Sequence, residues 1–217
     1  MVGQASFGAG AAKDWGRRAA PQMVESRSVR PLAPAAPVLA ALALCGAAPS
    51  ASAAGETDPL LPPAGRCAHE SDPGAHHRLQ RLALHCLLRG VRRRDDLRPL
   101  RSSAALRHSA TFKARRIAAC RVFTHNPCGD ALAKPFLEAQ VTRRGKWIVG
   151  EDLAWGVGED ASPRAIVAAW LASPTHRRVL LDRKMTHVGV RRRRLRMRGA
   201  PVGAVVWVAH LGHRAAA

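Results

Sequence analysis

Three short stretches of the sequence carry side chains that could do chemistry. They read FTH, GEDLAWG and WLASPTHR, and their polar members include His125, Glu151, Ser173 and His176. Imidazole and carboxylate groups are common zinc ligands, and a hydroxyl beside an imidazole can act as a nucleophile beside its base. The stretches are far apart along the chain. Only the fold can therefore bring their side chains together.

Ser173 and His176 lie three residues apart, close enough for the nucleophile and base of a serine hydrolase. However, Ser173 precedes Pro174, and a serine cap followed by proline at the first helical position is a common way to begin a helix. Capping explains the serine without catalysis. The helix should end near Leu181. His176 then falls in its first turn, where the positive end of the helix dipole favours a neutral imidazole, as a metal ligand requires.

The spacing of apolar residues predicts two long helices before these stretches. In residues 78–94 the pattern places Cys86 on the buried face of a helix. Ser102 or Ser103 can cap a second helix. Its buried stripe is Leu106, Ala110, Ala114 and Ile117, and its opposite face carries Arg107, Lys113 and Arg115.

The residue pattern in the middle of the chain predicts shorter helices and an extended segment. We expect a short helix from residue 130 to about 141, although Pro135 disfavours a helix interior. Residues 147–155 should be extended and partly buried. A further helix begins where Ser162 acts as the cap and Pro163 takes the first helical position.

The C-terminal part alternates apolar and polar residues, which is typical of strands. Residues 187–193 and 202–211 predict two strands joined by a turn at 199–201. Helices come first and strands come last in this order. The predicted fold class is therefore α+β with a mainly antiparallel central sheet.

The charge of the chain points to anionic partners. Lys and Arg number 35 against 15 Asp and Glu, a formal net charge of +20. Nucleic acid is disfavoured, because the arginines are spread along the chain and are not interleaved with aromatic residues that could stack on bases. Anionic cell-surface polymers or lipid headgroups fit better. A genome-wide bias toward Arg and Ala codons is the alternative explanation.

The N-terminal region resembles an export signal. Residues 38–48 form a short apolar run that follows basic residues and precedes small residues at 51–54. This order predicts a secretory signal cleaved after Ala53 or Ala54. The run is shorter than the roughly 20 residues of a membrane-spanning helix, so we expect no transmembrane segment in the mature chain.

These features predict the organisation of the chain. We expect residues 1–54 to form an N-terminal extension and secretory signal, and we expect translation to begin at Met23, which starts a more ordinary basic flank. Residues 55–75 are rich in Pro, Gly, Ala and Asp and predict a linker. Residues 76–217 form the one globular domain, located outside the cell or in the cell envelope.

Four cysteines remain after residues 1–54 are removed. An even number in an exported chain favours disulfides over a metal or redox role, and four cysteines allow three pairings. We favour Cys67 with Cys86, which would pin the N-terminal segment to a helix. Cys120 would then pair with Cys128 and close a short loop around His125.

The three chemical stretches also carry a family resemblance. They occur in order with Val188, Gly189, Val190 and the late Trp207. Together they resemble the bacterial branch of the CAP superfamily, the cysteine-rich secretory, antigen 5 and pathogenesis-related proteins. The resemblance covers about residues 79–212. It implies a three-layer α-β-α sandwich with a central cleft.

The resemblance further implies which residues line that cleft. Many family members hold two histidines and two glutamates there. By position, His125 is similar to the first histidine, Glu151 to the first glutamate and His176 to the second histidine. The resemblance therefore implies these three residues as a possible site for Zn²⁺ or another divalent metal.

Two positions depart from the family pattern. The position of the family's second glutamate corresponds to about Ser173, so that glutamate is missing here. Near the C-terminus the family has a polar pair before Phe-Gly, and this chain has Ala209 and His210 at those two positions. The remaining histidines, His210 among them, show no ligand spacing, and we interpret them as surface or core residues. No residue is assigned a catalytic role.

Three functions remain open at this point. The first is a secreted binding module for a lipid, a polymer or another ligand, with His125, Glu151, Ser173 and His176 lining the cleft. The second is a metal-dependent hydrolase that uses the same cleft. The third is a basic surface protein whose arginines bind anionic polymers, with affinity that falls as salt rises.

Overall fold

The computed structural model describes residues 58–141, 147–197 and 200–214. The predicted N-terminal extension and signal lie outside these residues. The principal helices and strands are α1 (His77–Arg94), β1 (Arg101–Ser102), α2 (Ala104–Cys120), α3 (Lys134–Glu138), β2 (Trp147–Gly156), α4 (Pro163–Ala172), α5 (Pro174–Leu180), β3 (His187–Arg194) and β4 (Val205–Arg214).

The strands form one sheet in the order β1-β3-β4-β2. Strand β4 is antiparallel to both of its neighbours, and it pairs with β2 along the whole of both strands. Strand β1 is parallel to β3 and pairs with it only at His187 and Val188. The predicted mainly antiparallel sheet is thus confirmed, with one short parallel pair that makes it mixed.

Helices cover both faces of this sheet. Successive residues of a strand point to opposite faces, and β4 shows this alternation. Val206 and Val208 pack with α2, whereas Trp207 and Ala209 belong to the larger core that includes α1, α4 and α5. The α+β class and the three-layer α-β-α arrangement are therefore confirmed.

The helix boundaries follow the capping residues. The Ser103 side chain accepts a hydrogen bond from the Leu106 amide at 3.3 Å, and Ser162 does the same for Ala165 at 3.3 Å. The helix predicted from 130 to 141 is shorter than expected, because α3 has only five residues and Pro135 lies in its first turn. Proline lacks the amide that a helix interior needs.

Two disulfides join the chain as predicted. Cys67 pairs with Cys86 and Cys120 pairs with Cys128, with Cα–Cα separations of 5.9 and 5.6 Å. The segment predicted as a linker forms turns from residue 58 onward, and its Leu61 is buried in the core beside α1. The first disulfide fastens this segment to α1.

Within the described residues, no helix is long and apolar enough to cross a membrane.

Candidate functional site

Glu151 is the centre of a buried cluster of charged and polar side chains. It lies on β2, and its side chain is 1% exposed. The Oε1 atom is 2.6 Å from His125 Nδ1, while Oε2 is 2.7 Å from His210 Nε2 and 3.1 Å from Lys113 Nζ. Three hydrogen-bonding groups from three parts of the chain therefore surround one carboxylate.

Lys113 contributes the positive charge of this cluster. Its side chain is fully buried, and its ammonium group contacts Glu151 and also donates to the backbone carbonyl of His125. Our prediction that Lys113 lies on the exposed face of its helix is wrong. The reason is visible in the spacing, since Lys113 is seven residues after Leu106 and four before Ile117, which places it on the buried stripe.

His210 reaches Glu151 from the neighbouring strand. It lies directly opposite Glu151 in the β2–β4 register, and its ring is fully buried. Its Nδ1 atom is 2.6 Å from Ser109 Oγ on α2, and Phe136 of α3 stacks on its ring at 4.3 Å. Sequence analysis assigned His210 no role. The alternation of β4 could have identified it, because it shares a face with Val206 and Val208.

The electrostatics of the cluster favour an ionised Glu151. Burial alone would raise its pKa, but the Lys113 ammonium group and the hydrogen bonds from His125 and His210 hold that pKa well below its ordinary value. Burial lowers the pKa of His210 and favours its neutral form. Its Nε2 contacts Glu151, and its Nδ1 contacts the Ser109 hydroxyl, which donates to the backbone carbonyl of Leu106 at 2.8 Å.

Asp152, the next residue, lies on the other face of β2. It is fully buried, and neither of its carboxylate oxygens has a hydrogen-bond partner. Burial, and then the charge of Glu151, raises the pKa of Asp152 well above its ordinary value. The two adjacent carboxyl groups thus favour opposite protonation states, and Glu151 carries the charge.

His125 is the most solvent-exposed member of the cluster. It lies in the loop that the Cys120–Cys128 disulfide closes, and its side chain is 32% exposed. The ring of His176 is 6.4 Å from that of His125 between centroids, with 20° between the ring planes. His176 itself is buried, at 4% exposure. The fold therefore brings the two predicted histidines side by side.

Ser173 and His176 also contact each other. The Ser173 hydroxyl is 2.7 Å from His176 Nδ1, and it does not cap α5 as we predicted. Burial, and then the proximity of His125, lower the pKa of His176 to about 3. The ring is therefore neutral near neutral pH and is a weak base. This weak basicity disfavours a serine nucleophile activated by His176.

The cluster does not fit the three-ligand metal site that the resemblance implies. Both oxygens of Glu151 already have partners, and one of them faces the Lys113 ammonium group. A positive charge at that position opposes a second cation on the same carboxylate. Among the described residues, no group of three or more His, Cys, Asp or Glu side chains is arranged to hold a metal ion.

Comparison with known families and sequences gives one match. The model of the cysteine-rich secretory protein family, CAP, matches residues 87–210. That range includes Glu151 and the three groups that surround it, Lys113, His125 and His210. No curated protein sequence matches the chain.

Solved structures give similar folds. An outer surface protein from Borrelia burgdorferi has 21% identity and a TM-score of 0.51, over 61% of this chain and 90% of that protein. An extracellular SCP-domain protein from Bacillus anthracis has 18% identity and a TM-score of 0.49, over 64% of this chain and 44% of that one. This chain thus spans less than half of the Bacillus protein. At such identities the Borrelia likeness concerns the fold alone.

Proposed function

The chain belongs to the cysteine-rich secretory protein (CAP) family, and from that premise we propose that it is an exported binding module of the cell envelope or its surroundings. Its ligand contacts His125 in the cleft beside His176. The observation that carries this proposal is the buried Lys113–Glu151 ion pair, with a separation of 3.1 Å.

The ion pair favours binding over catalysis. A general base must take a proton at the working pH, and Glu151 is a poor one because its neighbours hold its pKa well below the ordinary value. His176 is similarly a weak base, with a pKa of about 3. The cluster is therefore suited to fixing the position of His125 rather than to transferring protons.

His125 supplies the contact to the ligand. Its Nδ1 atom is held by Glu151 at 2.6 Å and its backbone carbonyl by Lys113, so both the ring and the loop have a fixed orientation. The Nε2 atom is the ring nitrogen that remains for a ligand. A hydroxyl or other polar group of a glycan or lipid headgroup matches its hydrogen-bonding chemistry.

Two observations support a place outside the cytoplasm. The sequence has the order of a secretory signal before the domain, and the domain carries two disulfides, which persist in oxidising compartments. A similar fold occurs in a protein described as an outer surface protein.

The test is ligand binding by the full chain with oxidised cysteines. Calorimetry with muropeptides released from peptidoglycan, and with phosphatidylglycerol vesicles, would compare the wild type with His125→Gln. The matched control is His108→Gln, because His108 is an exposed histidine of α2 away from the cluster. We expect the wild type and the His108→Gln control to bind one of the two probes with equal affinity. His125→Gln should bind the same probe about tenfold more weakly.

Two results would contradict the proposal: equal binding by His125→Gln, or binding of neither probe to the wild type.

The alternative function, a metal-dependent hydrolase, is tested by adding ZnCl₂ to the same proteins. A metal site would raise the melting temperature of the wild type but not of His125→Gln. We expect no such difference, because Lys113 supplies the positive charge beside Glu151.

A further inference from the structure

The free edge of the sheet carries an unusual concentration of arginines. Strand β1 covers β3 only at its first two residues, so Arg191–Arg194 have a neighbouring strand on one side only. We call the following six residues the arginine edge: Arg115 of α2, Arg191, Arg192, Arg193, Arg194 and Arg196.

Two grooves meet at the arginine edge. One has a volume of ≈ 1400 Å³ and the other ≈ 740 Å³. Both are lined by His77, Arg192, Arg194 and Arg196, so they form one continuous surface. Among the described residues, no acidic side chain lines either groove, and every cationic side chain that does is Arg or His.

The arginine edge has no anionic partner within the described residues. Arg116, Arg164 and Arg177 each pair with a carboxylate, whereas no member of the edge does. The Nε atom of Arg192 is buried and has no hydrogen-bond partner. The positive charge and donor groups of this surface are therefore left for a partner from outside the domain.

This clustering is unfavourable in the isolated domain. Burial, and then the charge of neighbouring arginines, lower the pKa of Arg191 and of Arg192. Charged residues on an edge strand prevent pairing with other sheets, which accounts for Arg193 and Arg194. It does not account for Arg115 on a helix and Arg196 beyond the strand, which line the same groove.

We propose that the arginine edge binds a flexible polyanion whose charges are phosphate groups and which carries no bases. The guanidinium group forms paired hydrogen bonds with phosphate oxygens, and arginine is favoured over lysine where such recognition is needed. In the part of the chain that the structure describes, His77 is the one aromatic ring that lines either groove. The stacking platform on which binders of single-stranded nucleic acid depend is therefore lacking among these residues. A polyol-phosphate polymer has the required chemistry.

This surface is distinct from the cleft. Glu151 lies on β2, whereas Arg191–Arg194 of the arginine edge lie on β3, and β4 separates the two strands. No member of the Glu151 cluster lines either groove. The inference is therefore independent of the function proposed for His125, and the His125→Gln variant should bind a polyanion as the wild type does.

The experiment measures binding of labelled medium-chain inorganic polyphosphate to the full chain by fluorescence anisotropy. The test variant is Arg193→Gln/Arg194→Gln/Arg196→Gln, in which all three side chains are exposed. The matched control is Arg93→Gln/Arg178→Gln/Arg183→Gln, which removes the same charge from exposed arginines outside both grooves. Thermal unfolding would verify that both triple variants fold.

We expect the test variant to bind about tenfold more weakly and the control to stay within about twofold of the wild type. The slope of log affinity against log salt should fall by about two for the test variant. Equal weakening of the two variants would overturn the proposal, since total charge alone would then explain binding. Tighter binding of unstructured single-stranded DNA or of heparin than of polyphosphate would overturn it as well.

Discussion

At the scale of single residues, the most informative feature is a buried ion pair with added hydrogen bonds. Transferring Lys113 and Glu151 from water costs free energy, and the pair is tolerated because His125 and His210 complete the bonding of the carboxylate. Each side chain of such a cluster depends on the others for its hydrogen bonds and for a compensating charge. Removing one charge leaves the other buried without compensation.

We predict that Lys113→Met destabilises the protein by about 3–5 kcal/mol, because Glu151 is then a buried charge without its cation. Urea unfolding would measure this loss. Lys184→Met is the control, since Lys184 is exposed, and it should change stability by less than about 0.5 kcal/mol. Adding Glu151→Gln to Lys113→Met should restore part of the loss. Additive destabilisation would argue against the ion pair.

At the scale of elements, the position of α2 on the sheet decides whether the cluster forms. Helix α2 carries Ser109 and Lys113, and it must lie close to the strands for both to reach β2 and β4. Gly189 of β3 permits this approach. A Cβ atom there would collide with backbone atoms of Leu106 and Arg107, which cannot move as a side chain can.

We predict that Gly189→Ala costs about 3 kcal/mol, because the whole of α2 must shift away from the sheet. The control is Gly74→Ala, where the nearest atom to the added Cβ is the flexible Asp72 Oδ1 at 3.3 Å, and it should be nearly neutral. Thermal unfolding would compare the two variants. Similar melting temperatures would show that α2 does not pack on Gly189 as described.

At the scale of the whole molecule, the domain combines export features with a strong positive charge. The full chain has a net charge of +20, and the six arginines of the arginine edge have no carboxylate partner among the described residues. The two disulfides fasten the N-terminal segment and the His125 loop. A basic domain of this kind is suited to anionic surroundings outside the cell. The export that we propose would bring both proposed binding surfaces into such surroundings.

We predict that bacterial export of the full chain yields a product that begins at Ala54 or Gly55, because the apolar run at 38–48 directs cleavage after small residues. Mass spectrometry of the exported product would identify its first residue. Leu42→Arg should block processing, whereas Ala36→Arg, outside the run, should not. An exported product that retains residues 38–48 would contradict the signal.

The amino-acid sequence by itself determined much of the architecture. Apolar periodicity and capping residues determined the helices from His77 and Ala104 onward and the strand pair β3–β4, because these features depend on neighbours along the chain. The cysteine count and spacing favoured the disulfides that the structure contains. The family resemblance supplied the three-layer fold.

Only the tertiary structure decided how the candidate site is built. Lys113 and His210 are ordinary members of a helix and a strand in sequence, and their contact with Glu151 depends on packing between α2, β2 and β4. The ionisation of Glu151 and the neutrality of His176 follow from that packing, since burial and nearby charges set their pKa values. A carboxylate that resembled a metal ligand in sequence is therefore one half of an ion pair in the folded protein.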